Sequence, residues 1–400
     1  MGNGETRLAK AAGENPAHTY LAISGLYLFV YYGLGAFNPL ISLYYESIHL
    51  TGTQIGTISA IPPIVSIVAQ PLWGMLCDHY RTRRPFLALM LIASAAAALV
   101  FCLLTSYAWV VLLFILLSLF QSAITPVSDS LALSYAYKQN MQFGNLRLWG
   151  AIGFAISVFF TGKAVEAWGV NAIFFCYGGA FVLSTLFLRR IPDQGTEFGT
   201  NVFQGMRQLI RLPRFLLFLV SAFFIFGAIN AHNIYFALYY QHIGGTVAGI
   251  GFAFLLFAGS EAPFMKAAGF FVRRWGLEMT ILTAGLVCAI RWLWYGTAPS
   301  AAAVIALFFL QGISVGFYAA SAAQFVRENT PASLQVTALA IFASFGQGLG
   351  SMTCNLFGGI IMDYAGILAT YYFFGVITVL GLIPLLLIRF GPFRRTPAIQ

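Results

Sequence analysis

The chain has 400 residues, of which 60% are hydrophobic and only 8% charged, with 39 Phe and 19 Tyr. A soluble globular chain carries about 25% charged residues, so this composition excludes that class and reads as a polytopic membrane protein. The formal net charge of +9 sits in short basic clusters between apolar runs, as membrane-flanking anchors do, which speaks against nucleic-acid binding.

The first 19 residues are polar and lack a signal-peptide core. A helical crossing needs about 20 mostly apolar residues. Polar and Gly/Pro punctuation then yields twelve runs, at 20–45, 54–77, 86–105, 108–137, 144–166, 170–189, 215–240, 248–271, 277–296, 301–325, 333–362 and 366–390. The only long break, Arg190 to Arg214, parts six spans from six. The expected fold is an all-α membrane protein of two pseudo-symmetric six-helix bundles. Its parts are an N-terminal tail (1–19), a first bundle (20–189), a central linker (190–214), a second bundle (215–390) and a C-terminal tail (391–400).

With both termini inside, seventeen of the 21 lysines and arginines fall in cytoplasmic segments, as the positive-inside rule requires. The expected location is a bacterial cytoplasmic membrane. Cys77, Cys102, Cys176, Cys288 and Cys354 stand singly in or beside apolar runs; without metal-ligand spacing they read as packing residues.

The halves repeat each other. At an ungapped offset of 195, NPLISLYYESIHLTGTQIG (38–56) lies over NIYFALYYQHIGGTVAGIG (233–251) with eight of nineteen pairs identical. At offset 197, Gly162, Glu166 and Gly169 align with Gly359, Asp363 and Gly366. A duplicated six-helix unit, with its axis along the membrane normal, explains both matches.

The loop after the second span reads G74-M-L-C-D78-H-Y-R81-T-R83-R84. A Gly, an Asp four residues on and a basic cluster resemble the signature loop of the major facilitator superfamily. Gly74, Asp78 and Arg81 are accordingly candidate gating residues, the alternative being a solvated positive-inside loop. The second half keeps the frame as G269-F-F-V-R273-R274 but has Arg273 where the Asp would stand. PVSDSLA (126–132) and FGNLRLWGAIGF (143–154) resemble the branch containing phenylpropionate transporters and, more distantly, lactose permease. The likeness extends to Glu261 and to Arg291-Trp292. It implies that Asp129 and Arg147 hold substrate and that Glu261 and Arg291 form a second acid–base set. In the tenth span Gln311 and Ser314 stand where lactose permease carries titratable groups, so the proton carrier is not assigned there.

Charged side chains inside a membrane cost a few kcal/mol and mark substrate or proton pathways more often than not. Asp129 lies about 10 Å and Arg147 about 8 Å inside the same end of their spans, so the two are expected to pair. Glu261 near mid-membrane and Arg291 are expected within reach of each other. Static helix-to-helix glue is the rival reading, but neither Arg147 nor Glu261 recurs at its repeat position, Ser344 and Ser66. The proton-coupling candidates are Glu261, as main carrier, and Asp129. The substrate-binding candidates are Arg147, Arg291, Asp129, Asn38, Asn233, Gln311 and Trp149. Lys266 and His232 read as structural.

These observations lead to a secondary transporter that imports a small organic solute with protons by alternating access, working as a monomer in the bilayer and needing no cofactor. An aromatic or other small carboxylate suits the two arginines; a sugar or nucleoside stands beside it. An efflux antiporter and a transporter-like sensor are further alternatives. No nucleophile–base set supports an enzyme.

Overall fold

A computed structural model describes residues 16–139, 141–191, 208–209, 211–331 and 334–392. Most of the expected N-terminal tail and linker, and the C-terminal tail from 393, lie outside the described residues.

Helix α1 (Pro16–Phe37) stops at Asn38-Pro39. Pro39 has no N–H to offer the carbonyl four residues back and its ring clashes there. Two short helices follow, α2 (Ile41–Ser47) and α3 (Gly52–Ser59), then α4 (Ile61–His79). Thr51 starts α3 with a complete capping box to Gln54. The expected span 54–77 is thus interrupted at Ala60, where Pro62 and Pro63 leave the carbonyls of Ile58 and Ser59 without their usual donors. The remaining helices of the first half are α5 (Arg84–Val100), α6 (Tyr107–Lys138), α7 (Phe143–Trp168) and α8 (Ala172–Leu188).

In the second half α9 (Pro213–His242), α10 (Val247–Trp275) and α11 (Leu277–Gly296) are long and continuous. The tenth expected span is split into α12 (Ala301–Ala306) and α13 (Leu310–Glu328). The eleventh begins as α14 (Gln335–Phe342), widens into a π-helical stretch (Ala343–Gly350) and runs on into α15 (Ser351–Phe390). Gly366, at φ 83°, breaks α15 and separates the last two spans. A π-helical stretch is rare and costs regular hydrogen bonding. Its glycines give close approach in return: a Cβ on Gly350 would collide with the carbonyl of Phe223 on α9.

Ten helical stretches of the described residues are long and apolar enough to cross a membrane. One of them, Thr337–Phe390, contains two of the expected spans, and Ala172–Leu188 is apolar but only 17 residues long. Among the described residues, helices therefore account for each of the twelve expected runs, with the breaks just given.

Packing groups the helices into two compact units: Met1–Phe37 with Val68–Phe198, and Asn38–Ile67 with Gly199–Gln400. Lipid offers no hydrophobic drive between helices, so small residues that let backbones meet do much of the work. In the first unit a Cβ on Gly153 of α7 would strike the Leu28 carbonyl of α1, and one on Gly35 would lie 2.6 Å from the Phe154 carbonyl. In the second, Gly312 and Gly316 of α13 let the backbone of α10 pass at Glu261.

Candidate functional site

The first unit brings Asp129 and Arg147 together, as their equal depth requires. Pro126 interrupts the hydrogen bonding of α6 one turn before Asp129. It leaves the Ser122 carbonyl without its helical donor, and Gln70 Nε2 supplies one at 3.1 Å. On α7, Gly150 and Gly153 draw the helix against α1, so Arg147 faces the same locus. Arg147 Nη1 donates to Asp129 Oδ2 at 3.2 Å. The other carboxylate oxygen, Oδ1, accepts from the Tyr27 hydroxyl at 2.5 Å.

Tyr27 was not among the candidates from sequence. Its ring is fully buried and stacks on Tyr31, with centroids 5.9 Å apart and planes 9° from parallel. Tyr31 in turn lies where a Cβ on Gly150 would be. The one signal was the i, i+4 spacing of Tyr27 and Tyr31, lost among the many aromatics. Asp129 therefore sits between a buried neutral donor and an exposed cation: the side chain of Arg147 is 54% exposed and that of Asp129 23%. Trp149 Nε1 lies 3.5 Å from the Tyr20 hydroxyl, at the edge of hydrogen bonding.

The second unit arranges its charges differently. Arg291 on α11 is 2% exposed and donates to Gln311 Oε1 on α13. Its guanidinium lies 4.3 Å from the Trp292 ring centroid and 5.8 Å from that of Tyr295, close enough for cation–π attraction. Nε and Nη1 of Arg291 and Nε2 of Gln311 have no hydrogen-bond partner. Among the described residues no ion pair joins Glu261 to Arg291. Gln311 takes the guanidinium instead, and Glu261 is half-buried on α10 with interactions of its own. His232 is fully buried, its Nδ1 2.9 Å from the Tyr371 hydroxyl and its ring 4.4 Å from Trp292. Asn233 is half-buried with Oδ1 unpartnered, and Asn38 is exposed.

In the signature loop Asp78 and Arg81 are exposed, and Arg81 takes φ 50° to close the turn with its N–H on the Asp78 carbonyl. A Cβ on Gly74 would meet nothing within 4 Å. The side chains that grip neighbouring helices are the two arginines that follow. Arg83, 4% exposed, donates to Ser134 Oγ on α6 at 3.1 Å, and Arg84 donates to the carbonyls of Arg189 and Ile191 beyond α8. Another ion pair that sequence reasoning missed, Arg214 to Glu278 at 2.7 Å, ties the starts of α9 and α11.

The model of the MFS_1 like family matches residues 20–373. The chain belongs to this family of major facilitator transporters. The maltose permease of Geobacillus stearothermophilus is 40% identical over 365 residues, covering 90% of this chain and 92% of the permease. The probable 3-phenylpropionic acid transporter of Escherichia coli is 22% identical, with 85% and 90% covered. Among solved structures, the nucleoside transporter NupG superposes with a TM-score of 0.83 at 13% identity, covering 94% of this chain and 100% of that one. This last likeness shows the fold alone. The chain is thus a multi-span secondary transporter and not an enzyme.

Proposed function

We propose that this major facilitator protein takes up a small neutral sugar, a disaccharide in the first instance, together with protons. The observation that carries this reading is the composition of the first site. Asp129 already neutralises Arg147, so the pair carries no net charge for an anionic ligand, while its exposed guanidinium and remaining carboxylate lone pairs suit hydroxyls that both donate and accept. The name of the 40% identical relative, a maltose permease, supports it. On this reading Asp129 and Arg147 bind sugar, Tyr27 positions Asp129, and Glu261 on α10 carries the proton. Arg291 and Gln311 stand beside that helix and respond to its charge. Uptake is across the bacterial cytoplasmic membrane, with both termini inside.

A specific observation favours the aromatic-carboxylate reading instead. Arg291 is a buried guanidinium whose one hydrogen bond among the described residues goes to a neutral amide, and an organic anion would compensate it. Counterflow in proteoliposomes separates the two. Entry of labelled maltose into maltose-loaded vesicles, uncompeted by 3-phenylpropionate, supports the sugar. The reverse pattern overturns it. An imposed inward proton gradient should then drive maltose accumulation; accumulation driven only by an outward one would mean efflux.

A further inference from the structure

Residues 38–67 leave the first unit after Phe37 and rejoin it at Val68, yet they pack with the second unit. The part from Asn38 to Ala60, a strap that carries α2 and α3, is bounded by prolines: Pro39 just after α1, and Pro62-Pro63 just after the break at Ala60, from which α4 runs on unbroken past Val68. Each interrupts helical hydrogen bonding, so the strap is joined to the helices on either side through two joints and not by one continuous rod.

What holds it lies on α15. Asp363 Oδ1 accepts the N–H of Gly52 at 2.5 Å, and Oδ2 accepts that of Thr53 at 2.7 Å. These are the first N–H groups of α3, which no intrahelical carbonyl can serve. Thr51 Oγ1 takes the next one, from Gln54. Helix α3 has only eight residues and no acid in its own first turn. A helix that short is marginal alone, and a carboxylate at its positive end is a substantial part of what keeps it formed. The acid is borrowed from a residue 311 positions away.

Below the acid the two helices touch through backbone. A Cβ on Gly52 would lie 2.6 Å from the Gly359 carbonyl, and neither Gly359 nor Gly56 has room for one against Gly52 and Asn355. Farther along, Asn355 Nδ2 reaches the Ser59 carbonyl at 3.4 Å, the group that Pro63 leaves without a helical donor. Tyr235 on α9 steadies that end by donating to the Asn355 carbonyl at 2.6 Å. The ends of Met362 and Tyr235 also lie against these glycines, whereas Asp363 itself is exposed. That exposure favours reversibility at the acid, because water can replace the carboxylate's hydrogen bonds at low net cost, while buried Tyr44, Tyr45, Ile55 and Ile58 are the apolar contacts that opening has to expose.

We propose that Asp363 is the latch of a releasable strap, its carboxylate holding residues 38–60 on the second unit, and that the strap opens as a unit about its proline joints while the rest of the protein stays folded. Loop charge assigns this end of the molecule to the outer face, where an alternating transporter has to open and close. The latch acts apart from the Asp129 site and does not depend on which solute is carried.

Amide hydrogen exchange on the full-length protein in lipid nanodiscs tests this. In the wild type, amides of 52–59 should exchange together and well before those of the α9 core; equal protection in the two segments would mean a static seam and overturn the proposal. In Asp363→Asn, which keeps the size but loses one acceptor and the charge, protection over 52–56 should fall roughly tenfold, with α9 unchanged. Asp363→Glu should recover most of it. Unchanged protection of 52–56 in D363N would show that Asp363 is no latch. If D363N does not fold, Gly359→Ala displaces the strap from the other side with the acid intact and should give the same fast exchange, and the wild-type comparison needs no variant.

Discussion

Two arginines inside the membrane helices, Arg147 in the first unit and Arg291 in the second, are held by opposite means. Arg147 faces an acid, is half exposed and can trade its partner for solute. Arg291 is buried, bonded to an amide and laid over two aromatic rings, with two nitrogens unserved. A buried charge without a counter-ion is held at a cost of several kcal/mol. The difference teaches that the first unit offers solute an accessible acid–base pair, whereas the second encloses its cation among aromatic rings and an amide.

The largest effect should come from removing the acid of the first pair. Asp129→Asn loses two charge-assisted hydrogen bonds of roughly 1.5 kcal/mol each, and initial uptake should fall about 100-fold. Retained uptake would mean that Asp129 only bridges helices. The second unit is addressed by Glu261→Gln, which should abolish accumulation driven by a proton gradient while counterflow stays within about threefold of wild type, as expected of a coupling residue and not a binding one. An unchanged response to the gradient would remove Glu261 from the coupling role.

Next in size is Gln311→Leu, which takes away the one hydrogen bond of Arg291. The thermal midpoint should drop as expected for about 2–3 kcal/mol, and the double change with Arg291→Met should recover part of it, because deleting a buried ion costs less than stranding it. If the double variant is worse than Q311L alone, the guanidinium has another stabilising role. The smallest change is Tyr27→Phe. Losing one donor to a charged oxygen should raise the KM for solute about fivefold to tenfold and leave the maximal rate nearly unchanged. A fall in rate with constant KM would mean that Tyr27 acts on the conformational step.

The helical class, the twelve apolar runs and the pairing of Asp129 with Arg147 were legible in the chain because each follows from local content: run length, loop charge and depth along a helix. The repeat also singled out Asp363 by aligning it with Glu166, though without assigning it a partner. Where the repeat was followed too literally it concealed a difference. Residues 38–56 and 233–251 share eight of nineteen pairs, yet Pro39 ends one helix where Ile234 lets α9 run on to His242. A residue without an N–H breaks the first copy where the second is continuous.

By itself, then, the sequence determined that this is a membrane-spanning helical transporter and which few charges are dear enough to matter, since hydropathy and the cost of intramembrane charge are properties of short stretches. Tertiary packing alone decided the partners. Tyr27 reaches Asp129 across α1 and α6, Gln311 displaces Glu261 at Arg291, and Asp363 caps a helix more than three hundred residues upstream. Each partner is chosen by where glycines and prolines let backbones approach or break, and that is decided between helices and not along one.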